Sequence, residues 1–310
     1  NVFGGGYSAT IPKIEVRNTP AFKKDKEPNK NTNIGMFEEG ERADSVIYEW
    51  MHVDEASFPA NGTLGMDSIN HVVYTTEDLN ALGQVGTVNL TIKGNTNVAG
   101  KIEDGINTGG NVYGGGEESN VSGDTRVNMN GGTIAQNVYG GGKGVADEFA
   151  CTKAMIGIND AGADNPDPAA TKDKGTIVKI SDGTVNGNVY GGGEVGRVEW
   201  NTQVTIGEEN GTGEPVVEGY VFGAGKGLKT HGYAALVRGN PTVTIQGNAK
   251  IKKSVYGGGE IASVARYKVA STAEEAAENG VEIGMPYALA NNYSGNCKVI
   301  VGGNAIIGPD

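Results

Sequence analysis

A six-residue phrase, Asn-Val-Tyr-Gly-Gly-Gly or a close variant, occurs six times, beginning at Asn1, Asn111, Asn137, Asn188, Tyr220 and Ser254. Residues that serve one active site do not come in serial copies, so the phrase belongs to the architecture. Wherever enough chain lies upstream, an alternating apolar stretch and a Gly-containing turn precede it. Examples are Arg126-Val127-Asn128-Met129-Asn130-Gly131-Gly132-Thr133-Ile134, Thr176-Ile177-Val178-Lys179-Ile180-Ser181-Asp182-Gly183-Thr184-Val185 and Thr242-Val243-Thr244-Ile245-Gln246-Gly247-Asn248-Ala249-Lys250-Ile251. Self-similarity of this kind marks a solenoid.

Apolar residues alternate with polar ones over runs rich in Val, Ile and Thr, the period of a strand with one buried face. From the second copy onward the spacings are 26, 51, 32 and 34 residues. Even the shortest holds two or three short strands with turns, about one coil of a parallel β-helix. The predicted class is all-β, a parallel β-helix with loop insertions containing short helices. Equivalent residues then stack about 4.8 Å apart along the axis.

Val2, Val112, Val138, Val189, Val221 and Val255 occupy the phrase in all six copies, which assigns them to the interior. Alternation then points Phe3, Tyr113, Tyr139, Tyr190, Phe222 and Tyr256 outward, unless the backbone turns there. The Gly triplet either turns a corner through positive φ or lies close to its neighbour, since Gly lacks the Cβ that forbids both. Ala224 replaces only the middle Gly, which implies φ < 0 at that position.

Long departures from the repeat follow the triplet, so one corner is expected to take insertions. The chain reads as one solenoid segment, residues 1–310, interrupted at about 12–86, 145–175 and 262–296. The first insertion contains strand-like Ser45–Trp50 and His71–Tyr74, and a helix from Glu77 to Leu82 between Thr76 and Gly83. The second contains the loop-forming run Asp160–Pro168. The third opens a helix at the capping box Ser271-Thr272-Ala273-Glu274 and closes it near Gly280. Gly303-Asn304-Ala305-Ile306 matches Gly247-Asn248-Ala249-Lys250, which places Asp310 at the start of another phrase. The expectation is an internal segment of a longer array, with open edges that favour axial self-association.

A net charge of −12, without a Lys/Arg cluster beside aromatics, disfavours nucleic acid as a partner; Lys23-Lys24-Asp25-Lys26 is a short loop exception. No run of about 18 apolar residues occurs to span a bilayer. Cys151 and Cys297 cannot form a disulfide framework and read as two unrelated thiols. Asn-x-Ser/Thr matches at Asn61, Asn89, Asn120, Asn210 and Asn292 matter only in a eukaryotic secretory route.

The Asn-Val-Tyr-Gly-Gly-Gly-Glu and Gly-Gly-Gly-Lys-Gly phrases at Asn111, Asn137 and Asn188 resemble those of large repeat proteins of gut Bacteroidetes, and the coil pattern resembles adhesin-type parallel β-helices. The resemblance covers most of the chain outside the insertions and brings no catalytic residues. It implies export to the cell surface or beyond. Asp44-Ser45-Val46 and Asp67-Ser68-Ile69 resemble the short O-glycosylation motif of that phylum, which agrees with export.

Several site motifs can be weighed. Gly223-Ala224-Gly225-Lys226-Gly227 is the nearest approach to a phosphate loop, but Tyr220 holds the place of the first Gly and Gly227 lacks the hydroxyl needed for magnesium. The calcium nonapeptide pattern is unmet, because Glu117, Glu194 or Glu260 follows its triplet directly; a single calcium held by loop carboxylates stays open. Those three glutamates share a repeat position and are the candidates for polysaccharide lyase or hydrolase chemistry. Lys143 and Lys226 hold the same position in intervening copies, so the column reads more simply as a charge ladder. His52, His71 and His231 share no repeat position and lack zinc-type companions; the first two could meet across a hairpin.

Tyr113, Tyr139, Tyr190, Phe222 and Tyr256 are the candidate ligand-binding residues, a flat ring face for sugars or for a host surface protein. The alternative is mutual stacking that stabilises the fold. No catalytic residue, cofactor or metal is assigned. The expected function is an extracellular stalk, adhesin shaft or surface coat, with a glycan-binding or polysaccharide-cleaving β-helix as the competing reading.

Overall fold

The computed structural model describes residues 1–7, 14–16, 46–48, 84–103, 106–146, 151, 153–158, 175–270, 272–283, 285–289 and 294–309. The chain divides into two compact units, Asn1–Ala9 with Gly83–Asp310, and Thr10–Leu82. In the smaller unit Ile14–Val16 pairs antiparallel with Val46–Tyr48, which places a strand inside the predicted Ser45–Trp50 run. The His71–Tyr74 strand, the Glu77–Leu82 helix, His52 and His71 lie outside the described residues.

The larger unit is built of parallel sheets, one of them curled into a half-barrel, with a single short helix among the described residues. Six two-residue strands carry the phrase: Val2–Phe3, Val112–Tyr113, Val138–Tyr139, Val189–Tyr190, Val221–Phe222 and Val255–Tyr256. They form one sheet in sequence order, with Val on Val and ring on ring at every step. The alternating runs form the second parallel sheet. Val88–Lys93, Thr125–Ile134, Gly175–Val185, Asn201–Ile206, Pro241–Ile245 and Lys298–Val301 follow one another across it. Consecutive repeats are therefore consecutive neighbours in both sheets.

Register sorts the apolar residues into columns. Leu90, Val127, Val178, Val204 and Val243 make one; Ile92, Met129, Ile180, Ile206 and Ile245 make another. Val98, Ile134, Val185, Val217 and Ile251 continue the set, as does the phrase valine. A further column of single bridges runs Val121, Ile156, Val198, Val237 and Val264. These columns meet in one hydrophobic core. A one-residue slip would turn every strand's apolar set outward, so burial itself holds the register.

A buried threonine joins the two sheets across this core. Thr125, Thr176 and Thr202 donate through Oγ1 to the carbonyls of Gly140, Gly191 and Gly223, at 2.6, 2.5 and 2.5 Å. Each bond satisfies a hydroxyl that would otherwise be costly at this depth.

None of the triplet glycines has positive φ, so close approach accounts for the triplet and corner turning does not. A Cβ on Gly140 would lie 2.2 Å from the Gly191 carbonyl oxygen of the next repeat. One on Gly142 would lie 2.7 Å from the Gly116 carbonyl oxygen of the repeat before. The third glycine also faces a small residue, Ser119, Ala154, Ala235 or Ala262, which leaves no space for a side chain.

Insertions leave from two places, not the one expected. Glu117, Glu194 and Glu260 reach Val121, Val198 and Val264 in a few residues, whereas Lys143 and Lys226 are separated from Ile156 and Val237 by longer loops. Other long segments depart after Ile156 and Val264. The third insertion contains the helix Ala273–Asn279 and an antiparallel pair, Tyr267–Val269 with Pro286–Ala288. Thr272, not Ser271, is the N-cap. Its side chain accepts from the Glu275 amide, and Gly280 ends the helix at φ 65°. The capping-box spacing thus fits Thr272 and Glu275, one residue later than expected.

Candidate functional site

The aromatic column is a continuous stack. Phe3, Tyr113, Tyr139 and Tyr190 have ring centroids 4.8 Å apart, and Phe222 and Tyr256 follow at 5.1 and 5.0 Å, with interplanar angles of 2–12°. The spacing follows from the strand ladder, which sets the separation of equivalent Cα atoms and leaves flat rings face to face. The rings form a cluster of their own, separate from the valine core, in keeping with alternation.

Their accessibility corrects the sequence expectation. Tyr113, Tyr139 and Tyr190 are at most 1 % exposed and Phe222 is 7 % exposed, while Tyr256 at the end of the stack is 46 % exposed. A column of rings covers its own faces, because each lies against the ring above and below. The flanks are closed by polar columns. Only Tyr256, and Phe3 in part, present a ring to solvent.

One flank is the charge column of Glu117, Lys143, Glu194, Lys226 and Glu260, bridged residue to residue. Lys143 Nζ donates to Glu117 Oε1 at 2.6 Å, and Lys226 Nζ to Glu194 Oε1 at 3.0 Å. The second oxygen of Glu194 accepts from Tyr113 Oη at 2.6 Å, and Glu260 Oε2 accepts from Tyr190 Oη. Each bond reaches a glutamate two repeats further along, tying three levels together. The three candidate catalytic carboxylates are thus stacked in one column and engaged by lysines or phenols.

Burial, with the charge of Glu194 added, pushes the Tyr113 and Tyr139 phenols far above their ordinary range. Burial also raises Tyr190; its bond to Glu260 raises it further, and the Asn188 amide opposes. These phenols stay protonated and act as donors at neutral pH. Outside the stack, the bond to Glu275 pushes the Tyr287 phenol up to about 12.

The other flank is an amide ladder that the alternation argument left unexplained. Asn1 Oδ1 accepts from the Asn111 backbone N–H at 3.2 Å, Asn111 Oδ1 from Asn137 at 3.0 Å, and Asn137 Oδ1 from Asn188 at 2.8 Å. Asn188 Oδ1 accepts from the Tyr220 N–H at 2.8 Å. Asn in four of six copies was the available signal.

A second polar cluster was missed altogether. Glu199 is fully buried, with Arg197 Nε 3.2 Å from Oε1 and Arg238 Nη1 3.2 Å from Oε2. Arg197 lies over the Tyr233 ring and Arg266, 2 % exposed, over the Trp200 ring. Trp200 Nε1 donates to the Gly157 carbonyl at 3.1 Å. The signal was the run Arg197-Val198-Glu199-Trp200, where the first repeat reads Asn120-Val121-Ser122-Gly123.

Among the remaining candidates, His231 Nδ1 is 2.8 Å from Thr230 Oγ1 at the surface. Cys151 is a buried free thiol and Cys297 an exposed one. No group of three His, Cys, Asp or Glu suited to a metal occurs among the described residues. No helix there is long and apolar enough to cross a membrane. The sequence matches no family model, no curated protein and no solved structure.

Proposed function

We propose that this chain is a parallel β-helix that acts as an extracellular shaft or surface coat, holding its insertions along the stacked repeats. The observation that carries the reading is the unbroken register of every column. Valine, ring, amide and charge each follow the same order through the levels, so the repeat is spent on mutual support. Such an array depends on neighbour contacts and lengthens by adding levels. The phrases' resemblance to surface repeat proteins of gut Bacteroidetes supports export. Specificity for a glycan or a host surface protein then lies in the inserted segments, since the rings that would stack on sugars are covered.

The competing glycan-site reading is tested with a glycan array of the wild type beside Tyr113→Phe/Tyr139→Phe/Tyr190→Phe. Phenylalanine keeps the stack and removes the hydroxyls. The shaft reading expects the same profile from both proteins. A specific glycan bound by the wild type and lost in the triple variant would assign binding to the column and overturn it.

A further inference from the structure

The stacked unit exposes apolar side chains at one end. Val299, Val301 and Ile307 stand in the columns of Val243, Ile245 and Ile251, which are buried, yet they are 43, 54 and 39 % exposed. Tyr256 closes the ring column half-exposed. Among the described residues Val255–Tyr256, Lys298–Val301 and Ile306–Ile307 each have a strand neighbour on one side only. Free edge groups in this order are a template for another parallel strand.

At the opposite end the edges are Val2–Phe3 in the phrase sheet and Val88–Lys93 with Asn97–Val98 in the other. The two sheets end out of step. Val2–Phe3 lies on Val112–Tyr113, the phrase that follows Val88–Lys93 and Asn97–Val98 in the chain, so the phrase sheet extends one level further here. At the Val301 end the long-strand sheet extends one level further, because Lys298–Val301 and Ile306–Ile307 follow the last phrase strand. The step at one end is the complement of the step at the other.

We propose that the chain associates head to tail with a second copy of itself through these stepped edges, an inference that rests on the stacked-level reading above. Val2–Phe3 of the second copy pairs with Val255–Tyr256, and its Val88–Lys93 pairs with Lys298–Val301. Continuing the columns sets Phe3 on Tyr256, Leu90 on Val299, Ile92 on Val301 and Val98 on Ile307. Leu90, Ile92 and Val98 are already buried, so the gain comes from covering the exposed set and pairing both edges. The contact joins unlike surfaces and leaves the same pair of edges open on the product, so it propagates as a filament instead of closing as a dimer.

The test uses the full chain with Cys297→Ser. Phe3→Cys and Tyr256→Cys are made in separate chains and oxidised alone and mixed; neighbouring strands at about 4.8 Å are within disulfide reach. The proposal expects a covalent pair in the mixture and none from either variant alone. An internal control carries Thr205→Cys and Thr244→Cys in one chain, residues that are register partners. If the control closes and the mixture gives no pair, or each single variant links as readily, head-to-tail association is overturned while stacking stands. If the control fails, the stacked reading itself is overturned. Sedimentation should show a concentration-dependent series for the parent, weakened roughly tenfold or more by Val301→Lys, which sets a charge on the docking edge.

Discussion

Tyr139 is where stacking and ligand display make opposite demands. Its ring is fully buried and lies 4.8 Å from both Tyr113 and Tyr190, at 2° and 6°. Tyr139→Ala removes the ring from between two partners that the backbone ladder holds apart, so the gap cannot close by collapse. Large aromatic truncations in cores cost about 3–5 kcal/mol, and loss of both stacked faces places this one toward the upper end. Tyr139→Phe keeps the ring and should cost about 1 kcal/mol or less. Tyr256→Ala provides the contrast: its ring is 46 % exposed and has one parallel-stacked neighbour, so about 1 kcal/mol is expected. Urea unfolding followed by far-ultraviolet circular dichroism measures all three. If Tyr139→Ala costs no more than Tyr256→Ala, the stack does not support the fold and the argument from burial fails.

Gly140→Ala should destabilise by about 1–3 kcal/mol or more, since the new methyl meets a backbone carbonyl at 2.2 Å, whereas Gly141→Ala should cost less because Ala224 already occupies that triplet position in another repeat; paired melting curves decide the order. The native phenols of Tyr113, Tyr139 and Tyr190 hold protons that an unfolded chain releases near pH 10. Stability is therefore whole below about pH 10 and falls above it, by up to about 1.4 kcal/mol per pH unit for each phenol, and the triple Phe variant should flatten that fall in alkaline denaturation. Glu199→Ala leaves Arg197 and Arg238 without their buried carboxylate and should cost about 3–5 kcal/mol by chemical denaturation, while a double change of Glu199 and Arg238 to apolar residues should recover part of it.

The columns were legible in the sequence because they depend on period and recurrence. Val in every phrase and β-branched residues at alternate positions before it determine which atoms face inward and which residues stack. Ring orientation relative to the valine core followed from the same alternation. Ring burial did not, because it depends on what stands beside the column: Glu194 and Glu260 reach the phenols of Tyr113 and Tyr190 from two levels away, a distance that local reading does not span. The Gly triplet could be read two ways, and only the contact of Gly140 with the next repeat's carbonyl chooses close approach. The Glu199 cluster was hidden for a related reason, since Arg238 comes from the next level and Tyr233 from an inserted loop, with no repeated signal to align them.

The central claim is that each repeat is one level of a stack held by its neighbours, and removing one whole level tests it most directly. Asn111 and Asn137 hold the same position 26 residues apart, so deleting residues 112–137 joins Asn111 to Val138 with every column still in phase. Lys143 would then follow Tyr7 in the charge column and still precede Glu194. The account predicts a folded protein with the parent's circular dichroism, one cooperative melt, and a long dimension by small-angle X-ray scattering shorter by about 5 Å. An unfolded or aggregated product, from a deletion that preserves every column, would contradict it.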